Sequence, residues 1–453
     1  MLFFRKAILT LQNWKAKAIH KPLLIRGARQ VGKSTLVSQF SDQFTHFISA
    51  NLEKKEYKAL FESMDDVKDI FESLLIMHNI PWDGEPTLLF LDEIQESPKA
   101  IQLLRYFFEE LPHIHVVAAG SLLEFAIKDV PSFPVGRTEQ FVLHPMDFEE
   151  FLYAIKNKPA INQINKIPFS NGVFQPILDL FHKYLIVGGM PEVIKDYVEN
   201  GQIANLPDIY ESLIQSYRDD VEKYAKNNSE KQVIRHIMET AHAEKDRISF
   251  EGFGNSKFRS REVGEALRTL DMSRVIQLIY PSTNLSPPAI DDVRKRPRIQ
   301  FLDVGLLNYQ SNRQLSMLQV KDFNEFHQGK VIMQMVTQEI KAQHHRPSYR
   351  PNFWVRDKAG SSAEIDLVYP LQQYLLPIEI KSGPKGKLRS LFQYMDMVDH
   401  HYAIRLLANR FSVEKVKTLT GKSFYLLNLP YFLAGKIPEY GEWFVSKYPM
   451  EQG

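Results

Sequence analysis

The run Leu23-Leu24-Ile25-Arg26-Gly27-Ala28-Arg29-Gln30-Val31-Gly32-Lys33-Ser34-Thr35 constrains this chain more than any other stretch. A short apolar segment, then G-x-x-x-x-G-K-S, then the helically spaced Leu36, Val37 and Phe40 is the phosphate-loop pattern in its strand–loop–helix setting. Gly27 and Gly32 permit backbone angles that a Cβ forbids, so successive N–H groups can converge on phosphate oxygens. A helix beginning near Lys33 adds its positive end to the same spot. Gly27, Ala28, Arg29, Gln30, Val31, Gly32, Lys33, Ser34 and Thr35 are thus the expected nucleotide-binding set. Lys33 would neutralise β/γ-phosphate charge, and the Ser34 hydroxyl would hold Mg²⁺.

Thr87-Leu88-Leu89-Phe90-Leu91-Asp92-Glu93-Ile94-Gln95 supplies the complementary signal. A continuous apolar run reads as a parallel strand buried on both faces, and ligands bind at the carboxyl ends of such strands. Asp92 is placed on Mg²⁺ and Glu93 on the attacking water. Two carboxylates after a strand are otherwise an ordinary solvated turn; the upstream phosphate loop favours chemistry. The strand His115–Gly120 ends at Ser121, which reads either as a group reaching the γ-phosphate or as a strand-end turn serine. Gly136-Arg137 follows a loop containing Pro131 and Pro134. Arg137 is a candidate for charge stabilisation at the γ-phosphate, in cis or from a neighbouring subunit, and equally an ordinary surface arginine.

These motifs, together with Leu143-His144-Pro145-Met146-Asp147-Phe148-Glu149-Glu150-Phe151, Val187-Gly188-Gly189-Met190-Pro191-Glu192-Val193 and Arg298-Ile299-Gln300-Phe301-Leu302-Asp303-Val304-Gly305-Leu306, resemble a prokaryotic family of AAA+-type ATPases. That family carries a C-terminal domain of unknown function. The resemblance implies ATP as the nucleotide; no guanine-reading N/T-K-x-D motif is evident. Ser121 departs from the Asn or Thr common at that place.

Composition narrows the remaining classes. The 453 residues suggest two to four domains, and a net charge of +2 confines any nucleic-acid surface to a local patch. The absence of cysteine removes disulfides, zinc fingers, iron–sulfur ligation and thiol nucleophiles. Charge interrupts the first residues too early for a secretory segment, and no apolar run approaches the roughly 18 residues of a membrane helix. A cytoplasmic protein without membrane contact is expected.

The expected fold class is α/β. An AAA+-type P-loop NTPase core with a parallel sheet spans 1–156, and a helical lid or linker spans 157–228. A winged-helix region spans 229–312, and a restriction-endonuclease-like α/β domain spans 313–453. Residues 157–176, rich in Asn, Gln, Lys and Pro, read as a loop. Gly188-Gly189-Met190-Pro191 reads as a turn or hinge. Helices through Val233–Met238 and from Ser260, then a wing strand over 273–280, carry the winged-helix reading. Arg294, Lys295, Arg296 and Arg298 form a basic cluster beside it, suited to DNA phosphates or to a solvated turn.

In the last segment Glu364 and Asp366 alternate onto one face of a strand, and Glu379 and Lys381 onto one face of the next. An Asp followed by Glu-x-Lys is the PD-(D/E)xK arrangement. Asp366 and Glu379 would hold Mg²⁺ there, with Lys381 beside the water and Glu339, on a helix over about 329–343, as a further ligand. An amphipathic hairpin with a wet face gives the same pattern.

The resulting expectation is Mg²⁺-dependent ATP hydrolysis driving conformational change in the C-terminal half, on DNA or in a homo-oligomer. The alternatives are an ATP-gated, metal-dependent DNA endonuclease and a non-catalytic, ATP-switched regulator.

Overall fold

The computed structural model describes residues 2–130, 132–312, 329–358, 360, 362–383 and 388–449. Pro131 and residue 313, where the C-terminal segment is expected to open, lie outside them. The chain forms two compact units. The first comprises 1–145 with two returning segments, Met272–Arg274 and His344–Ser348; the second comprises the rest.

The first unit is built on five strands: β1 (Leu23–Arg26), β2 (His46–Asn51), β3 (Thr87–Asp92), β4 (His115–Gly120) and β5 (Glu139–Val142). They lie in the order β2-β3-β4-β1-β5, and every pairing is parallel. Interior strands are covered on both faces, which is why β1, β3 and β4 read as unbroken apolar runs. The edge strand β2 alternates instead. The helix Lys33–Ser41 buries Leu36, Val37 and Phe40, the three-and-four spacing of a one-sided helix. The charged segment before β3 is two helices, Lys55–Ser63 and Val67–His78, the second capped by the Asp66 side chain. Their apolar faces and that of the helix Pro98–Glu110 close one side of the core. On the β5 edge, the Val142 N–H donates to the carbonyl of His345, from a returning segment (2.8 Å).

The second unit begins with helices. Residues 157–176, expected as a loop, contain the helix Lys158–Ile164. Asn157 accepts from the Ala160 N–H, Pro159 sits in the first turn, and Ala160, Ile161 and Ile164 share a buried face. Local capping and spacing outweigh the polar composition. Helices Phe174–Val187, Pro191–Asn200, Leu206–Glu222, Asn228–Thr240 and Ser260–Met272 follow. A two-stranded antiparallel ribbon of β6 (Ile276–Ile279) and β8 (Arg298–Phe301) comes next.

The Gly188-Gly189 turn is pinned rather than left as a hinge. Buried Asp303 accepts from the Gly189 N–H (2.6 Å), the Gly305 N–H (2.8 Å) and Gln338 Nε2 (3.0 Å). A Cβ on Gly305 would stand 2.7 Å from the Val187 carbonyl.

A mixed seven-stranded sheet completes this unit. Besides β7 (Pro281–Ser282) it contains β9 (Asn352–Val355), β10 (Glu364–Leu371), β11 (Tyr374–Ile380), β12 (Tyr402–Leu407), β13 (Ser412–Lys417) and β14 (Ser423–Pro430). Their order is β13-β14-β12-β11-β10-β9-β7. Among the described residues no helix is long and apolar enough to cross a membrane.

Candidate functional site

In the first unit the phosphate loop leaves the carboxyl end of β1, and β4 lies between β1 and β3. Gly27 (φ +151°), Gln30 (φ +63°) and Gly32 (φ +96°) adopt positive φ. At Gly27 a Cβ would stand 2.5 Å from the Leu143 carbonyl oxygen, so both its dihedral and its clearance demand glycine. The loop opens directly into the helix beginning at Lys33.

Ser34 Oγ donates to Asp92 Oδ2 at 2.8 Å, although 58 residues separate the two in sequence. Lys33 is buried and folds back on the loop, donating to the carbonyls of Gly27 (3.1 Å) and Ala28 (3.0 Å). Burial pulls its pKa from 10.5 down to about 8, against the nearby charges of Glu93, Asp92 and Glu124. Burial raises the Asp92 carboxyl, opposed by its bond from Ser34. Glu93 has left-handed backbone (φ +50°), a strained conformation of the kind concentrated at functional sites. Its carboxylate accepts from Gln95 Nε2 at 2.6 Å, and the Gln95 side chain lies against Gly120 at the end of β4. Ser121, next in the chain, is buried at that same end of the sheet, and Thr35 is exposed on the first helical turn.

These donors fit a nucleotide with Mg²⁺. A hydroxyl and a carboxylate already meet, a lysine stands beside them, and the cradle at Gly27 is one a Cβ would fill. Arg137 does not join them. β5 runs parallel to β1 with Leu23 opposite Glu139 and Arg26 opposite Val142. Arg137 therefore precedes β5 at the amino edge of the sheet, a strand length of roughly 10–13 Å from the edge bearing the loop. Its Nε donates to Glu109 at 2.8 Å. The cis assignment fails on topology.

Three residues missed in the sequence stand beside the loop. Arg274, on a returning segment and with φ +63°, bonds Glu124 through Nη2 (2.7 Å), and Arg26 Nη1 lies 3.7 Å from the same oxygen. Burial lowers the Arg26 pKa, and its Nε is buried without a partner among the described residues. The one local clue was a charged residue ending an apolar strand immediately before Gly27.

The second unit holds the other predicted cluster. One extra residue of β10 stands between Ile365 and Val368 relative to β9, a bulge across Asp366 and Leu367. Asp366 Oδ2 accepts from the Ile380 N–H at 2.7 Å, and Lys381 pairs with Glu379. Arg298, expected in a surface basic cluster, is buried here instead. It pairs with Glu364, lies 3.0 Å from Asp246 and 3.8 Å from Asp366, and stacks over Phe353 at 4.3 Å. Alternation along β8 turns it inward. Of its expected companions, Arg294 is held by Asp292 (2.9 Å), and Lys295 lies 3.2 Å from Asp357.

Glu339 does not join Asp366 and Glu379. Its carboxylate accepts from the Phe148 N–H (3.1 Å) and the Tyr184 hydroxyl (2.9 Å), serving the start of the helix Phe148–Ala154. Burial, reinforced by the Asp366 charge, pushes the Glu379 carboxyl up to about 7. Its Oε2 is buried without a partner among the described residues. Among those residues no group of three His, Asp or Glu assembles to hold a metal. The residues do not fit Mg²⁺ as arranged, because an ion would have to displace Arg298 and Lys381 from the two carboxylates.

Residues 19–152 match a family model described as an AAA domain. Residues 178–316 and 328–431 match two domains of unknown function, DUF8612 and DUF4143. An uncharacterized protein of Haemophilus influenzae is 25% identical over 181 residues, 38% of this chain and 40% of that protein's length. The Aeropyrum pernix Orc1 protein, solved in complex with DNA, has a TM-score of 0.30 at 16% identity, covering 71% of this chain and 95% of that one. A Pyrococcus horikoshii signal transduction ATPase with numerous domains has 0.28 at 12%, covering 76% and 48%. DnaA of Aquifex aeolicus, solved with AMPPCP, has 0.26 at 12%, covering 58% and 86%. TM-scores of this size carry no functional inference. The parallel sheet and the AAA-domain match make the first unit a P-loop NTPase core of AAA type, and the second unit adds an α/β sheet domain.

Proposed function

We propose that this chain binds ATP with Mg²⁺ at the loop after β1 and hydrolyses it, and that the second unit responds to nucleotide state. The observation that carries the reading is the 2.8 Å contact between Ser34 and Asp92, which joins the two motifs at one point. Bound Mg²⁺ would offset charge on the β- and γ-phosphate oxygens. Lys33 exchanges the carbonyls of Gly27 and Ala28 for those oxygens. Glu93 orients the attacking water and takes its proton, and Gln95 holds the Glu93 carboxylate toward that task. Ser121, at the end of the strand between the two motifs, is read as the group that contacts the terminal phosphate or the water. Arg137 is read as a group offered to a neighbouring copy. Beyond residue 156, 157–228 is read as the helical connector, 229–312 as the winged-helix part and 313–453 as the C-terminal domain.

Glu93→Gln should retain ATP with near wild-type affinity and lose turnover by about 100-fold or more, the scale of general-base loss. Lys33→Ala should bind no ATP. Phosphate release and equilibrium nucleotide binding, measured side by side, test both. Wild-type turnover in Glu93→Gln would sink the water-orienting role. Tight ATP retention with negligible wild-type turnover would favour the non-catalytic regulator.

The endonuclease reading is set aside because Arg298 and Lys381 already answer its carboxylates. Mn²⁺-dependent cutting of DNA that disappears in Asp366→Ala would restore it.

A further inference from the structure

Past the ends of β9 and β10 the second unit holds a polar cavity of about 290 Å³, lined by Arg356, Lys358, Ser362, Arg389, Ser390 and Gln393 among others. The Arg356 N–H donates to the Ala363 carbonyl (3.2 Å), which ties the cavity wall to the start of β10.

Two features set this cavity apart. Three cations line it and no carboxylate does. The nearest acid in sequence, Asp357, lies 3.2 Å from Lys295 instead. Four basic side chains elsewhere in this unit show the contrast: Arg294 is answered by Asp292, Arg298 by Glu364, Lys381 by Glu379 and Arg350 by Asp271. Among the described residues, Arg356, Lys358 and Arg389 form no ion pair. Three unanswered cations around one concavity raise the local potential, and the group that lowers it is an oxyanion able to take bidentate guanidinium bonds.

The lining contains no aromatic side chain, so it offers no aromatic platform for a base. The sequence leading into this wall is basic: from Ser382 to Met395 it carries Lys385, Lys387 and Arg389 and no acidic residue. A lone phosphate does not call for so long a basic run, whereas a polyanion does.

We propose that this cavity takes a phosphate of a nucleic-acid backbone, binding duplex without reading its bases. The site is distinct from the basic run at 294–298, where Arg294, Lys295 and Arg298 are answered by Asp292, Asp357 and Glu364. It stands independently of the ATP reading.

Fluorescence anisotropy on a labelled 20-base-pair duplex tests it, with the full chain at 50–200 mM salt. The one phosphate seated in the cavity contributes about −0.9 to the slope of log affinity against log salt, about a 3.5-fold weakening over that range. The triple variant Arg356→Gln, Lys358→Gln, Arg389→Gln should flatten the wild-type slope by about that 0.9, with an unchanged circular dichroism spectrum and melting temperature. Lys33→Ala should bind duplex as wild type does, which separates this outcome from failure of the nucleotide site. A wild-type slope in the triple variant, or no duplex binding by the wild-type chain, overturns the assignment. Calorimetric binding of inorganic phosphate without any duplex binding also overturns it, and gives the cavity to a small phosphate.

Discussion

Replacing Lys33 with methionine should remove ATP binding and make the nucleotide-free protein more stable. Burial pulls the Lys33 pKa from 10.5 to about 8. That shift of about 2.5 units, at roughly 1.36 kcal/mol each, puts the cost of holding the charge at about 3 kcal/mol. Methionine keeps the length and the packing of the stem. It forfeits the bonds to the Gly27 and Ala28 carbonyls, together about 2 kcal/mol at the usual net value. The net gain is about 1 kcal/mol, a rise of roughly 2–4 °C in the melting temperature of a unit this size. The sign with pH follows from the depressed value. Below pH 8 the lysine is charged in folded and unfolded chains alike, and the full cost applies. Between pH 8 and 10.5 the folded form is neutral while the unfolded form still binds a proton, so the cost fades and the wild type catches up. Urea melts of both proteins without nucleotide, at pH 7 and pH 10, measure this. A variant less stable than wild type at pH 7, or a gain that grows with pH, refutes the reasoning.

Arg137→Ala should leave ATP affinity within about twofold of wild type, because the side chain stands at the far edge of the sheet; a loss of about tenfold, or 1.4 kcal/mol, would place it at the nucleotide after all. If it serves a neighbouring copy, mixing Arg137→Ala with Glu93→Gln should recover turnover that neither protein shows alone, measured as phosphate release. Arg298→Met should cost about 3–5 kcal/mol in urea unfolding, since it leaves Glu364, Asp366 and Asp246 without their buried counter-ion. Lowering the pH toward 5 should narrow that loss, because burial raises the Glu364 and Asp366 carboxyls and protonation relieves their repulsion.

The phosphate loop and the Asp92-Glu93 pair were legible because each is one uninterrupted run whose chemistry is local. The 2.8 Å between Ser34 and Asp92 then follows from two strands pointing the same way in one sheet. Arg26, Glu124 and Arg274 were not legible, because their meeting depends on a tertiary return of the chain. Arg137 was left open between a cis, a trans and a surface place for a related reason: a motif after a proline loop says nothing about which sheet edge it faces until the strand order is known. Arg298 was sorted with Arg294–Arg296 by adjacency in sequence, whereas the period of a strand turned it inward. The recurring signatures around Gly188-Gly189 and Asp303-Val304-Gly305 were visible separately. Only the fold shows that they are one feature, a buried carboxylate gripping a glycine turn.

The first unit is not a contiguous piece of chain. His344–Ser348 belongs to it, and the His345 carbonyl occupies the β5 edge. A ribosome that has released everything up to Pro145 has delivered an unfinished sheet with a bare outer strand, the kind that recruits foreign strands. Completion waits until Ser348 emerges, so assembly of the nucleotide-binding half is subordinate to synthesis of much of the other. Fragments cut at the apparent border are expected to clump, and the two halves to be made, and lost, together.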